Sequence, residues 1–188
     1  MSTEKDNHDA FRQALTRGDE SAWFTFHQRY TKRLIRYACA VVKDEERAKD
    51  AVQAVMVGLV RNRKQLENIQ DFEAYLFSAL RRDLWRVLKR EHKDAAMLVS
   101  LDSHKDDGPA VWQIAADKNS ETNTDDRDFL VVALSRLTAE MRMVIELRFF
   151  GELTFERIAQ VLQLPLGTVV SRFRAGLEQL RANVRERT

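Results

Sequence analysis

Leu153-Thr-Phe-Glu-Arg-Ile-Ala-Gln-Val-Leu-Gln-Leu-Pro-Leu-Gly-Thr-Val-Val-Ser-Arg-Phe-Arg-Ala-Gly-Leu-Glu-Gln-Leu-Arg181 decides the reading of this chain. Phe155, Ile158, Ala159 and Leu162 recur at the spacing of one buried helical face, and Thr154 supplies an N-cap hydroxyl. Gln163, Leu164 and Pro165 end that helix, because proline removes a donor and pushes the preceding residue out of the helical region. A second helix is predicted to begin at Pro165 or Leu166. Its apolar stripe is Val169, Phe173, Leu177, Leu180 and Val184. At about 100° per residue the opposite face holds Ser171, Arg174, Ala175 and Glu178, flanked by Thr168, Arg172 and Val170. Two helices across a tight turn, the second with a fixed inward stripe and an outward polar face, make a helix-turn-helix, whose second helix reaches base edges in the major groove. A helical hairpin with a solvated outer face is the plainer alternative. The proline break, the small Gly167-Thr168 entry and the capped first helix favour DNA.

Working outward, the 188 residues are 44% hydrophobic and 32% charged, with six glycines and two prolines, a composition of long helices rather than of a turn-rich β fold. The single Cys39 excludes an internal disulfide, and His8, His27, His92 and His104 lie too far apart for metal-ligand spacing, so no metal and no cofactor are expected. The N-terminus lacks the apolar core of a signal peptide, and the longest apolar run, 51–60, is too short for a bilayer. The expectation is an intracellular, cytoplasmic protein without membrane insertion.

Charge is unevenly divided. Residues 1–96 hold 19 Lys/Arg against 15 Asp/Glu, residues 97–128 hold 3 against 8, and residues 129–188 hold 9 against 6. The acidic middle is rich in turn formers and has no sustained helical period, so it reads as a flexible linker with a short apolar patch, Ala110, Val111, Trp112 and Ile114.

Four helical segments precede that linker. The first ends at Gly18. The second, capped by Asp19 or Ser21, runs to about Val42 with Trp23, Phe24, Phe26, Tyr30, Leu34, Tyr37, Ala38 and Val41 as its apolar side. A third starts after Asp44; its inward stripe of Ala48, Val52, Val55, Met56 and Leu59 leaves Asp50, Ala54, Val57 and Arg61 outward, with Gln53 beside them. That strip is read as an interface or as ordinary surface at even odds. The fourth, capped by Asp71, runs from Phe72 to about Lys93 with Arg82, Arg86, Lys89, Arg90 and Lys93 at helical spacing and Tyr75, Phe77 and Trp85 among them. Cations that follow phosphates and rings that stack on unpaired bases suit single-stranded nucleic acid; the plainer reading is a solvated face over a core that uses some of the rings.

Taken in order, these halves resemble a bacterial RNA polymerase sigma factor of the sigma-70 family, extracytoplasmic-function group. The resemblance is carried by Asp50-Ala-Val-Gln53-Ala-Val-Met-Val-Gly-Leu59, similar to the family's polymerase-binding helix, and by Phe72-Glu-Ala-Tyr75-Leu76, similar to the start of the helix that reads the -10 element. It is carried most strongly by Leu134-Ser-Arg-Leu137 through Arg142, Leu147 and Ile158-Ala159 to Leu164-Pro165-Leu-Gly167-Thr168-Val169-Val-Ser171-Arg172, similar to region four. Ala54 stands where many relatives have Glu, Tyr75 where they have Trp, and Val170 where a basic residue is common.

The resemblance implies an all-α chain of two small helical domains: region two over 8–96 and region four over 125–186, joined by a flexible acidic linker over 97–124 that the family places along the polymerase channel. It implies core RNA polymerase as a partner, bound through Asp50, Gln53, Ala54 and Val57. Promoter DNA is the second partner, with Tyr75, Arg82, Trp85, Arg86 and Lys89 on the single-stranded -10 element. Thr168, Val170, Ser171, Arg172, Arg174 and Ala175 fall on the -35 duplex. An anti-sigma factor is a further partner to look for. The function implied is transcription initiation without catalysis; the alternative is a stand-alone helix-turn-helix regulator. A nucleic-acid enzyme finds no support, since no carboxylate cluster, Cys/His ligand set, phosphate loop or activated nucleophile is present in the sequence.

Overall fold

The computed structural model describes residues 2–96 and 132–185, with side chains over 10–89 and 132–183. The predicted linker, its apolar patch, and the start and end of the predicted region four lie outside the described residues. Every described element is helical: α1 (Ser2–Arg17), α2 (Glu20–Val42), α3 (Glu45–Arg61), a 3-10 helix η1 (Arg63–Asn68), α4 (Phe72–Ala96), α5 (Ala139–Phe149), α6 (Phe155–Leu162) and α7 (Leu166–Arg185), with one helical turn at 132–135 before α5.

Local chemistry sets these boundaries. The Asp19 carboxylate accepts from the Ala22 amide at 3.0 Å and opens α2, and Gly18 turns the chain into it at φ +86, a left-handed backbone that suits glycine. Asp44 caps α3 from the Arg47 amide at 3.1 Å, and Asp71 caps α4 from the Ala74 amide at 2.9 Å. Thr138 and Thr154 cap α5 and α6 in the same way. Gln163 closes α6 in the left-handed conformation, and Pro165 starts α7 by accepting from the Thr168 and Val169 amides.

The inward stripe of α3 packs as its spacing predicts, with Ala48, Val52, Val55 and Leu59 buried and Ala51 joining them; Met56 is half-buried. On α2 one assignment fails. Phe24 is 64% exposed, because Phe26, one residue pair along, takes the core position against Tyr30 and Phe72 while Phe24 falls on the opposite side of the helix. On α6, Ile158 and Val161 are the buried pair, and Phe155, Ala159 and Leu162 lean on the core only in part.

The two halves do not form separate cores. One continuous cluster runs from Leu15, Phe26, Leu34 and Tyr37 through Leu76, Phe77, Leu80 and Leu84 to Val144, Leu147, Leu153, Ile158 and Val169. Helix α6 lies against α4 and α5 against α2, so the helix-turn-helix rests on the helix predicted to read the -10 element. Only Leu134, Leu137 and Ile145 form a smaller cluster belonging to the C-terminal half alone.

Candidate nucleic-acid and polymerase interfaces

In α7 the inward stripe is anchored by Val169, which is fully buried, while Phe173 stacks between Phe155 and Phe149, with ring centroids 5.1 and 6.0 Å away. Gly176 lets α5 approach closely: a Cβ there would meet Ile145 Cδ1 at 2.8 Å and Met141 Cβ at 3.3 Å. The stripe and this contact fix the roll of α7. Opposite them, Leu166, Gly167, Val170, Ser171, Arg174, Ala175 and Glu178 line one open, shallow hollow. Five residues of the hollow are those the helical wheel places outward or on its apolar flank. Arg174 and Ser171 are exposed and Val170 and Ala175 half-exposed; Thr168 and Arg172 stand half-buried on the flank. Sequence reasoning missed Leu166 and Gly167 as members of this surface. Leu166, 44% exposed, lies one turn before Val170 on the same side, a spacing that was available to find it.

Asp50, Gln53, Ala54 and Val57 are all exposed along one side of α3, and Val60 extends the strip with a further exposed apolar side chain. The strip therefore combines a carboxylate, an amide and a row of small apolar groups, a surface able to take a protein partner through apolar contact with a polar edge.

The basic face of α4 divides. Arg82, Arg86 and Lys89 are exposed, Arg86 paired with Asp83 at 3.0 Å. Phe77 is fully buried, stacked on Tyr37 at 5.6 Å, and belongs to the core. Tyr75 and Trp85 are half-buried. The Lys89 ammonium sits over the Trp85 ring at 4.6 Å, and the indole N–H is buried without a hydrogen-bond partner. Tyr75 and Trp85 are thus only partly open to solvent, and Lys89 covers one face of the Trp85 ring. The side chains of Arg90 and Lys93 lie outside the described residues.

Residues 26–94 match the family model described as Sigma-70 region 2, and residues 133–182 match that described as Sigma-70, region 4. The chain belongs to the sigma-70 family. Within it, the ECF RNA polymerase sigma factor SigK of Mycobacterium ulcerans is 27% identical over 183 residues, 94% of this chain and 92% of that protein. The ECF RNA polymerase sigma factor RpoE of Cereibacter sphaeroides is 44% identical over 52 residues, 28% of this chain and 29% of that one. Among solved structures, CnrH in complex with the cytosolic domain of CnrY matches with a TM-score of 0.65 at 18% identity, covering 96% of this chain and 98% of CnrH. RpoE from Bartonella quintana, in complex with the anti-sigma factor NepR, matches with a TM-score of 0.60 at 20% identity, covering 86% and 97%. At these identities the structural matches speak for the fold. This sigma factor is of the extracytoplasmic-function group, a regulatory transcription initiation factor, and the match of its first half to region two separates it from a stand-alone helix-turn-helix regulator.

Among the described residues no group of His, Cys, Asp or Glu has metal-binding geometry, and no helix is long and apolar enough to cross a membrane.

Proposed function

We propose that this sigma factor docks on core RNA polymerase through Asp50, Gln53, Ala54 and Val57 of α3. In that complex it selects promoters by reading the -35 element as duplex with α7 and the -10 element as a single strand with α4. The observation that carries the reading is the two-sidedness of α7: Val169 is fully buried and holds the helix at one angle, while Ser171 and Arg174 are exposed on the opposite side. An arginine so placed can reach the O6 and N7 of guanine with two parallel hydrogen bonds. Val170 and Ala175 offer apolar contact of the kind that a thymine methyl accepts. Thr168 and Arg172, on the flank, suit phosphate oxygens, which position the helix without reading sequence.

On α4, Arg82, Arg86 and Lys89 would follow the phosphates of the displaced strand, with the half-buried rings of Tyr75 and Trp85 beside them. Holding two weak DNA contacts on one enzyme raises the effective concentration of each, so neither region need bind tightly alone. The chemistry of RNA synthesis stays with the polymerase; the factor acts in the cytoplasm, where its template is, and performs no catalysis of its own. CnrH and the Bartonella RpoE were solved with CnrY and the anti-sigma factor NepR, which supports a protein inhibitor of the same kind for this chain.

The test is reconstitution. Purified chain is added to core polymerase and genomic fragments, and the transcripts are sequenced. New start sites sharing upstream elements at the -35 and -10 positions are expected; transcripts identical to those of core polymerase alone would defeat the proposal.

A further inference from the structure

Glu178 stands on the DNA-facing side of α7 without a part in the reading above. It is exposed and lines the same open hollow as Ser171 and Arg174. At about 100° per residue, Gly167, Ser171 and Glu178 fall within roughly 40° of one another, on the side opposite Val169, Phe173 and Gly176. Gly167 has open space where a Cβ would stand, and Ser171 is small. The line that leads to Glu178 is therefore low and lets the helix lie deep in a groove. Glu178 itself sits between two anchors. Gly176 abuts Ile145 and Met141, and the Gln179 side-chain amide donates to the Arg136 carbonyl at 3.0 Å, so the acid has a fixed direction away from the core.

Its charge sets it apart from the rest of the helix. Helix α7 carries four arginines and one carboxylate. Among the described residues Glu178 has no ion-pair partner, although Arg174 stands one turn before it and Arg181 three residues after it. A carboxylate at the centre of a surface that meets a polyanion weakens binding to every sequence except one that offers it a donor. In the major groove guanine presents two acceptors, thymine an acceptor and a methyl group, and adenine a donor beside an acceptor that repels an acid. Cytosine presents its N4 amino donor alone. Spacing places that base. Glu178 lies four residues beyond Arg174, a rise of ~6 Å, which is less than two base steps of ~3.4 Å.

We infer that Glu178 determines specificity at the -35 element by accepting from the N4 amino group of a cytosine within two base pairs of the guanine taken by Arg174. Any other base there leaves its charge unpaired against the DNA. This assignment rests on α7 as the reader of the -35 duplex.

The test uses the full chain on core polymerase, with promoters randomised across the -35 element and barcoded in the transcribed region. Wild type, Arg174→Ala, Glu178→Ala and Glu178→Gln are compared by counting transcripts. Wild type should prefer cytosine about tenfold at one position, within two base pairs of the position that Arg174→Ala relaxes. Glu178→Ala should flatten the cytosine position and leave the guanine position unchanged. Glu178→Gln, whose amide both donates and accepts, should turn the cytosine position toward adenine, whose N6 and N7 it can pair. That switch is a gain that misfolding cannot produce, and at an exposed position both variants should keep the wild-type unfolding midpoint. Wild-type base preference in both Glu178 variants, as a merely solvated carboxylate gives, overturns the inference. So does a uniform rise for all bases, the mark of charge repulsion alone. A wild-type factor that shows no preference anywhere in the library defeats the -35 reading itself, and the inference with it.

Discussion

Arg157 and Glu73 lie 84 residues apart in sequence and form an ion pair, with the Glu73 carboxylate held from its other side by Arg33. Glu73 is 6% exposed, so its charge is stabilised by these two guanidiniums rather than by water. The same α4 terminus uses its other acid twice: one oxygen of Asp71 caps the helix through the Ala74 amide while the second accepts from Arg157. Helix capping and region packing thus share one carboxylate.

Removing either partner of this pair has unequal consequences. Glu73→Ala takes a carboxylate from both Arg33 and Arg157, which keep the Gly151 carbonyl and Asp71 as partners, and the loss should be about 1.5–3 kcal/mol. Arg157→Ala leaves Glu73 its partner Arg33, and the Arg157 side chain is itself one-third exposed, so the loss should be about 1 kcal/mol. Urea unfolding of both variants and of the double variant measures the difference. Equal costs would mean that Arg33 does not hold Glu73 on its own.

Stability should fall as pH rises toward 8. Burial against α2 pushes the Glu146 carboxyl up from 4.5 to about 8, opposed by the nearby charges of Arg142 and Lys43. The groups facing this cluster are the Tyr37 hydroxyl, pushed upward by its own burial and by Glu146, and the Arg81 guanidinium of α4. The packed state binds the Glu146 proton more tightly than the unfolded chain does. Its contribution is fully present below the unfolded value of 4.5 and is lost as pH climbs through about 8. Glu146→Gln, which keeps the shape and cannot ionise, should flatten this part of the pH profile in thermal unfolding. A slope unchanged in Glu146→Gln would assign it to another group.

The α3 strip makes a prediction independent of stability. Asp50 and Val57 are exposed, and Asp50→Arg reverses a charge without touching the core stripe of Ala48, Val52 and Val55. Co-purification with core polymerase should be lost while the helical circular dichroism and the unfolding midpoint hold. Retained binding would move the polymerase contact elsewhere.

Arg174 and Arg172 should separate sequence reading from affinity. A bidentate contact to guanine discriminates by about 1–3 kcal/mol, whereas a phosphate contact weakens binding to all sequences and lowers the salt dependence by about one charge. Against a library randomised across the -35 element, Arg174→Ala should relax preference at one or two positions. Arg172→Ala should lower binding evenly and reduce the salt slope. An unchanged preference in Arg174→Ala would remove this arginine from base reading.

Trp85 is expected to act through structure more than through stacking. Its ring packs against the core under Lys89, and its indole N–H is buried unpaired. Trp85→Phe keeps the packing and deletes the orphan donor, so it should be near neutral in stability, while Trp85→Ala should cost about 3 kcal/mol. On a promoter pre-melted around the -10 element, a folded Tyr75→Ala variant should recover activity. Failure of the bubble to rescue it would separate Tyr75 from melting.

The helices and their faces were legible in the sequence. Asp19, Asp44, Asp71 and Thr154, each read from the sequence, cap the helix that follows through an amide three residues on; Thr138 does the same for α5, a cap the sequence reading did not name. Val169 and the outward Ser171 and Arg174 follow from the same helical period. Phe24 and Trp85 mark where this logic thins: a wide apolar side tells that some rings are buried, and only packing chooses which.

Periodicity says that a face is covered but not by what. The sequence by itself determined an all-helical chain with a region-two and a region-four pattern and the outer surfaces of α3 and α7. Tertiary structure alone decided that Arg33 meets Gly151 across 118 residues, that Arg157 meets Glu73, and that both halves share one core. The reason is physical: caps and stripes are set by contacts within a turn or two. The union of the halves instead depends on guanidiniums and carboxylates whose positions in sequence carry no trace of their partners.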